Sequence, residues 1–296
     1  MKKFYKISFI IAGCMVCIGL MFGCVGVVFG GSQQLINMTE NGELSYGDHW
    51  GFQWDDHDMS LYDYDDMDWE NSQDGIVYDI DEIKNLNIKI GGGAMTIVPY
   101  DGDKIKIVTK NQNKYKCGLK GDTLYIHSNE ESTNRRSITL YFPQNMKFEN
   151  VTVKLGAGVI EAESIDCDEL KATVGAGQLS AEDITAKDAY FKIGAGSLEL
   201  SDINFIESEY KVGLGAAEID GKLLGNTEIN VSMGTVDMDL DNKEEDFNYQ
   251  VDCSAGNVEI GDMTTSGMAT ERDFDNGSDS MFIVNCSMGS AAIDFQ

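Results

Sequence analysis

The stretch VKLGAGVIEA at residues 153–162 is followed by ATVGAGQLSA at 172–181, FKIGAGSLEL at 191–200, YKVGLGAAEI at 210–219 and INVSMGTVDM at 229–238. The first glycine of each copy, or the serine that replaces it, stands at 156, 175, 194, 213 and 232, so every step is the same (175 − 156 = 19). A constant short period of β-type sequence indicates coils that stack in register and hydrogen-bond to one another. We therefore predict an all-β fold over residues 84–296, a single-chain parallel β-solenoid with coils of about 19 residues.

Looser copies of the motif extend the array in both directions. One lies upstream at Gly91-Gly92-Gly93, and two follow the regular copies at Ser254-Ala255-Gly256 and Ser287-Met288-Gly289. The step between the last two is longer than the others (287 − 254 = 33), and it is long enough to contain an additional coil.

Equivalent positions of stacked coils form columns along a solenoid. Three columns are apolar and are expected to point inward: Leu155, Val174, Ile193, Val212, Val231, Cys253 and Cys286; Ile160, Leu179, Leu198, Ala217, Val236, Val258 and Ala291; and Ala162, Ala181, Leu200, Ile219, Met238, Ile260 and Ile293. Inward positions are odd before the first Gly-x-Gly element, at Val153 and Leu155, and even after it, at Ile160 and Ala162, so this element must turn the chain. We expect Gly175 and Gly194 to be structural, through positive φ and close backbone approach. A dinucleotide-binding loop would need a following helix, which the pattern lacks.

The outward columns carry the surface chemistry. Before the corner stand Lys154, Thr173, Lys192, Lys211 and Asn230, then Asp252 and Asn285; after it stand Glu161, Ser180, Glu199, Glu218, Asp237 and Glu259, ending in Ala292. Stacked like charges repel, and oxygen ligands such as these suit a divalent cation. The candidate ligands for Ca²⁺ are Glu199, Glu218, Asp237 and Glu259, whereas neighbouring lysines or solvation would relieve the repulsion equally well. No other cofactor is expected.

Four of the seven cysteines fall in the solenoid region: Cys117, Cys167, Cys253 and Cys286. They form no CxxC pair, which disfavours a zinc site. Cys253 and Cys286 share an inward column, so we expect both to be buried and, if their coils are neighbours, close together. Reduced thiols are the favoured state, because a disulfide between parallel strands needs a particular torsion.

The sequence of residues 1–32 predicts a cytoplasmic tip followed by one transmembrane helix. Lys2, Lys3 and Lys6 precede an uncharged run, which from Ile7 to Phe29 spans about 35 Å as a helix. That length crosses a hydrocarbon core of about 30 Å. Basic residues before the run and acidic residues after it place the bulk of the chain outside the cytoplasm. A cleaved signal peptide and a lipoprotein signal at Cys24 are the alternatives, and the apolar run is too long for either.

Residues 33–83 predict an acidic, extended linker. No Lys or Arg occurs between Gln33 and Ile83, and the segment from Asp55 to Glu70 is dense in carboxylates. Such charge density opposes collapse into a core. Its aromatic residues suit docking on a partner, and His49 and His57 beside carboxylates suit a metal, but a solvated tether is the favoured interpretation.

The overall charge narrows the list of partners. The chain of 296 residues carries 22 Lys plus Arg against 50 Asp plus Glu, a formal net charge of −28. Each phosphate contact needs a cation, so this balance disfavours nucleic acid and anionic lipid as partners. It favours a solvated surface or one that gathers cations.

The stretches Ile138–Pro143 and Phe148–Val153, followed by the Gly-Ala-Gly coils, resemble the bacterial putative-adhesin family of β-strand-repeat domains. The resemblance covers residues 84–296 and implies a cell-surface solenoid. Many members carry a single N-terminal membrane helix, and the family's function is largely unassigned. It supplies no catalytic motif, and it does not account for the acidic stretch at 40–82.

The residues favour a binding module over an enzyme. Polysaccharide lyases use solenoids, but their sites recruit basic residues, and Arg135, Arg136 and Arg272 lie outside the regular coils. Outside the linker the single histidine is His127, and no Gly-x-Ser-x-Gly or HExxH motif occurs. We expect a membrane-anchored, non-enzymatic surface protein that binds an envelope polymer or a surface protein. A regulatory ectodomain that senses envelope stress is the alternative, and a polysaccharide-acting enzyme is a remote one.

Overall fold

The structure is a computed structural model, and it describes residues 76–109, 115–128, 137–261, 263–266 and 270–296. The predicted anchor at 1–32 and the linker up to residue 75 lie outside these residues. Within the described part, no helix is both long and apolar enough to cross a membrane. Strands make up most of it and it has no α-helix, so the all-β prediction is confirmed.

In chain order, the strands are β1 (Ile76–Asp79), β2 (Asn85–Ile90), β3 (Ala94–Tyr100), β4 (Lys104–Thr109), β5 (Tyr115–Lys120), β6 (Thr123–Ser128), β7 (Ser137–Pro143), β8 (Lys147–Leu155), β9 (Val159–Val174), β10 (Gln178–Ile193), β11 (Ser197–Val212), β12 (Ala216–Leu223), β13 (Thr227–Val231), β14 (Thr235–Leu240), β15 (Asn248–Cys253), β16 (Asn257–Ile260), β17 (Met263–Ser266), β18 (Thr270–Phe274), β19 (Met281–Cys286) and β20 (Ser290–Phe295). Short 3-10 turns occupy Ile80–Glu82 and Glu244–Asp246.

The central coils stack in parallel with the predicted period. Strands β9, β10 and β11 pair along their length, and Leu179 lies opposite Ile160 on one side and Leu198 on the other. The offset in both directions equals the sequence repeat (179 − 160 = 19 and 198 − 179 = 19). All three predicted apolar columns are buried, with the exposed fraction of every member at or below 8%. These columns form the core of the solenoid.

The coils of β9, β10 and β11 each bend three times rather than once. In β9 the buried side chains run Ala162, Ile165, Cys167, Leu170, so inward parity changes twice within the strand, in addition to the change at the Gly-x-Gly corner. Because the period is odd, equivalent inward positions in neighbouring coils alternate between odd and even numbers. A coil must therefore contain an odd number of parity changes, and three meets this condition. One of the additional bends lies at residues with positive φ, which recur at or close to the repeat period: Ser164, Asp183, Asp202 and Gly221.

Close packing of backbones, rather than positive φ, requires the corner glycines. A Cβ on Gly196 would meet the carbonyl oxygen of Gly177 in the preceding coil and would lie 2.8 Å from Val174 Cγ1. Gly175 and Gly194 are not among the described residues with positive φ. The expectation of positive φ at these two positions is therefore wrong. The expected close approach is real: it occurs at the second glycine of every corner from Gly158 onward, and at Gly156 it also involves a first glycine.

The order of coils in space differs from their order in the chain at both ends. The coil β2–β3 lies between β6–β7 and β8–β9. The coil β19–β20 lies between β13–β14 and β15–β16. Strands β17 and β18 pair antiparallel with β16 and β15, so the long step between the last two motif copies forms an end cap and places no coil between Cys253 and Cys286.

The solenoid begins earlier than residue 84. Strand β1 pairs antiparallel with β4, and Ile76, Tyr78 and Ile83 are buried in the core. The predicted linker boundary at residue 83 is therefore wrong. The alternation of apolar and polar residues in Ile-Val-Tyr-Asp buries one face of this short strand and adds it to the sheet.

Candidate functional site

The surface candidates are the columns of outward side chains that the parallel register creates. Adjacent strands lie about 4.8 Å apart, so charged groups at equivalent positions stand closer together than most surface charges do. Two such columns, one acidic and one basic, dominate the described surface.

The acidic column brings three of the four predicted cation ligands together. Glu199 lies opposite Glu218, and Glu218 lies opposite Asp237. The neighbour of Asp237 in the next coil is Ala292, and Glu259 follows only after it. Glu259 follows Asp237 in the sequence order of the column but does not adjoin it in space, because the chain inserts β20 between β14 and β16.

Repulsion and burial both act on the carboxylates of this face. The pKa of Asp237 is raised by burial first, and then by the negative charges of Asp294 and Asp239. The pKa of Asp220 is raised for the same reasons, with Asp239 as its principal charged neighbour. Among the described residues, no group of three or more His, Cys, Asp or Glu side chains is arranged to hold a metal ion. Calcium binding stays a prediction.

The basic column, which we call the lysine row, crosses seven consecutive strands on the face that precedes the Gly-x-Gly corner. In spatial order it consists of Lys116, His127, Lys89, Lys154, Thr173, Lys192 and Lys211. Six steps of about 4.8 Å give the row a length of about 29 Å. It contains five of the 22 cationic residues of a strongly acidic protein.

The pKa of His127 is affected by the positive charges of the lysine row. Burial lowers its pKa to about 4, and the positive charges of Lys89 and Lys116 act in the same direction. The ring of Tyr125 packs edge-on against the imidazole, with 6.1 Å between ring centroids. His127 is therefore neutral at pH 7 and occupies a cationic environment.

The lysine row ends at Lys211. Lys211 Nζ forms an ion pair of 2.5 Å with Glu209 Oε1 and lies 5.1 Å from the centroid of the Tyr190 ring. Beyond it the column continues through Asn230 and Asn285 to Asp252, so the positive charge is confined to one half of the solenoid.

Uncharged residues separate the lysine row from the acidic column. Between Lys192 and Glu199 the chain reads Ile-Gly-Ala-Gly-Ser-Leu, and the other regular coils are equally free of charge in this interval. Across the corner the solenoid thus presents a cationic face and an anionic face side by side.

Sequence reasoning found only part of this row. It placed Lys154, Thr173, Lys192 and Lys211 in one outward column but did not extend the column to Lys89, His127 and Lys116. The signal was present for Lys89, which stands two residues before Gly91 as Lys154 stands two before Gly156. His127 and Lys116 join because β6 lies beside β2, out of chain order.

The described residues offer little for catalysis. Cys117, Cys167, Cys253 and Cys286 are buried, and burial raises the pKa of Cys167 to about 12, so its reactive thiolate is not populated at pH 7. A shallow groove of about 420 Å³ runs beside the lysine row, lined on its outer side by Lys171, Tyr190, Glu209 and Glu228. No activated nucleophile or histidine borders it.

Comparison with known proteins places this geometry in a family. A search of curated proteins gives no match. Two solved structures are similar, a putative cell adhesion protein from Clostridium sporogenes ATCC 15579 (16% identity, TM-score 0.37) and a putative adhesin from Bacteroides fragilis NCTC 9343 (12% identity, TM-score 0.40). The alignments cover 77% and 75% of this chain and 100% and 98% of those chains, respectively. The model of the Toastrack DUF4097 family matches residues 83–262, well over half of the sequence, and the chain belongs to that family.

Proposed function

We propose that this protein is a non-enzymatic surface-interaction module, an adhesin held at the membrane by its N-terminus and exposed outside the cytoplasm. The observation that carries the proposal is the parallel stack itself. It holds charged side chains in straight columns on a long, hydrogen-bonded scaffold. Such a surface is suited to an extended ligand, because each coil adds one equivalent contact.

The chemistry of the described residues supports binding rather than turnover. A nucleophile needs an adjacent base or a lowered pKa, whereas burial raises the pKa of the Cys167 and Cys286 thiols. His127 is held neutral between lysines, and its low pKa makes it a poor general base at pH 7.

The membrane location rests on Lys2, Lys3 and Lys6 followed by the uncharged run from Ile7 to Phe29. The full chain should fractionate with membranes and resist a carbonate wash. Residues after 32 should be open to protease added outside the cell. Recovery of a soluble mature chain that starts near residue 30 would contradict the anchor.

A capture experiment tests the function. The full chain, purified in a non-ionic detergent and immobilised, is exposed to isolated cell-envelope polymer and, separately, to solubilised membrane proteins. Retention of envelope polymer supports the adhesin. Failure to retain polymer together with specific capture of a membrane kinase or protease would replace it with a sensing ectodomain.

A further inference from the structure

We propose that the lysine row binds a linear phosphodiester polymer, a thin chain of polyol units joined by phosphate groups. The proposal rests on the proposed function, because it names the class of ligand that the surface module takes. It concerns the row from Lys116 to Lys211 and no residue outside the described part of the chain.

The first argument is geometric. The positions of the row are directly opposite one another from strand to strand, so its side chains leave the sheet along one line of backbone positions. Lys89, Lys154, Lys192 and Lys211 are half-buried, so part of each side chain is packed against its surroundings. Packed stems limit the directions that the charged ends can take. A line of cations about 29 Å long matches a chain with regularly repeated charges better than it matches a compact anion.

The second argument is the charge around the row. The whole protein carries −28 formal charges, so a wide anionic object such as a membrane surface or a duplex would meet carboxylates wherever it overhangs the row. A thin chain avoids them. On the side of the corner its immediate border is the column of Gly91, Gly156, Gly175, Gly194 and Gly213, which places no carboxylate beside the lysines. Glu209, the carboxylate that pairs with Lys211, borders the row at its far end.

The third argument concerns the side chains of the row and of its border. The row contains lysines, which bind phosphate as point charges, and no arginine, whose fork recognises carboxylate and phosphate alike. The two uncharged positions are His127, which is neutral at pH 7, and Thr173, whose hydroxyl can donate to a phosphate oxygen. Stacking on sugar rings would require exposed aromatic residues, and Tyr190, which borders the row, is only partly exposed and lies against Lys211.

Binding is tested on the full chain in non-ionic detergent, with poly(glycerol phosphate) as the probe and polygalacturonate of matched charge as the comparison. Replacing Lys89, Lys154 and Lys192 by glutamine should weaken binding of the phosphate polymer by about tenfold or more. The matched control replaces Lys106, Lys222 and Lys243, three exposed lysines outside the row, by glutamine and should bind as the wild type does. Equal loss in both variants, or no loss in the first, would overturn the proposal. Equal affinity for polygalacturonate would overturn the assignment of phosphate.

A gain-of-function variant excludes misfolding as the explanation. Thr173→Lys fills the gap between Lys154 and Lys192, so it should bind more tightly than the wild type. On single strands, each neutralised phosphate steepens the fall of log K with log salt concentration by about 0.7, so this variant should add about 0.7 to the slope. An unchanged affinity and slope would count against a continuous row.

His127 supplies a readout at the site itself. The chain has three histidines, so their imidazole signals can be followed separately by NMR. A polyanion that neutralises Lys89 and Lys116 should raise the pKa of His127 from about 4. Saturating polymer that leaves this pKa unchanged would show that it binds elsewhere. If row variants lose the defined polymer but still retain envelope material, the proposed function survives and the lysine row is not its ligand site.

Discussion

The Gly-x-Gly corner shows which single positions of this fold require glycine. The two glycines of most corners look equivalent in sequence, but from Gly158 onward every second one faces backbone of the neighbouring coil at a distance that leaves no room for a side chain, whereas Gly156 is the one first glycine shown to do so. The first position accepts serine at Ser232, Ser254 and Ser287. Serine therefore already replaces the first glycine at three corners of this protein.

This asymmetry predicts different costs for two neighbouring substitutions. Gly196→Ala should lower the free energy of unfolding by about 1–3 kcal/mol, the usual cost of overpacking, because the new Cβ meets the carbonyl of Gly177 and the side chain of Val174. Gly194→Ser should change it by less than about 0.5 kcal/mol. Chemical denaturation of both variants measures the difference. Equal changes in the free energy of unfolding for the two variants would contradict the predicted difference between the two positions.

The thiols of Cys253 and Cys286 are the second residue-scale case. They lie directly opposite each other in β15 and β19, both buried. Burial, with Cys253 as a close neighbour, raises the pKa of Cys286. A raised pKa opposes thiolate formation and hence oxidation.

We expect both cysteines to be reduced. Thiol titration in denaturant without reductant should then count all seven cysteines of the chain in the wild type and six in Cys253→Ser. A count of five in the wild type, rising to six in that variant, would demonstrate a disulfide between them.

At the scale of elements, periodicity predicted the regular coils but not the ends. The sequence from 153 to 238 repeats at one spacing, so each coil can stack in register on its neighbours in the chain. At the ends the repeats are looser, and hydrophobic pattern alone does not say which coil lies beside which. The position of β19 between β13 and β15 depends on tertiary contacts.

Sequence reasoning also missed the two additional bends of the regular coils. Positions 164, 183 and 202 carry Ser, Asp and Asp, and Asp in particular accepts positive φ more readily than most residues. Ser164 also donates a hydrogen bond of 2.7 Å to Asp183 in the next coil. Their regular spacing was visible in the sequence, but small polar residues on an exposed strand carry no strong turn signal by themselves.

The end strand β18 protects the solenoid against edge association. Among the described strands it pairs only with β15, and Arg272 lies opposite the buried Val251. Arg272 thus places a charge on the inward-facing side at the end of the core, a common device against strand addition.

Removing that charge should promote self-association. Arg272→Val should shift the chain toward dimers or larger species, because a second edge strand can then add to β18 without burying a charge. Arg272→Gln keeps the position polar and should leave the oligomeric state of the wild type unchanged. Size-exclusion chromatography with light scattering compares the three proteins. Identical mass distributions for all three would show that β18 is protected in another way.

At the scale of the whole molecule, charge is distributed so that the neighbouring acidic and basic faces respond oppositely to pH. The carboxylates of Asp220 and Asp237 have raised pKa values in the folded state, so protonation relieves their repulsion and favours folding as the pH falls. His127 acts in the other direction, because its pKa falls from 6.5 to about 4 on folding. Protonation of His127 therefore favours the unfolded chain.

The contribution of His127 can be isolated with a variant. Its stabilising effect is present above pH 6.5, the unfolded value, and is lost as the pH falls toward 4, the folded value. A shift of this size corresponds to at most roughly 3 kcal/mol. His127→Gln cannot be protonated, so the stability of the wild type relative to this variant should decline between pH 6.5 and pH 4.5, as measured by urea denaturation. The same comparison with Asp237→Asn should change in the opposite sense, with the wild type gaining relative stability as the pH falls through the raised pKa of Asp237. If the wild type and His127→Gln keep a constant difference across this range, then neither burial nor the neighbouring lysines depress the imidazole pKa in the folded protein.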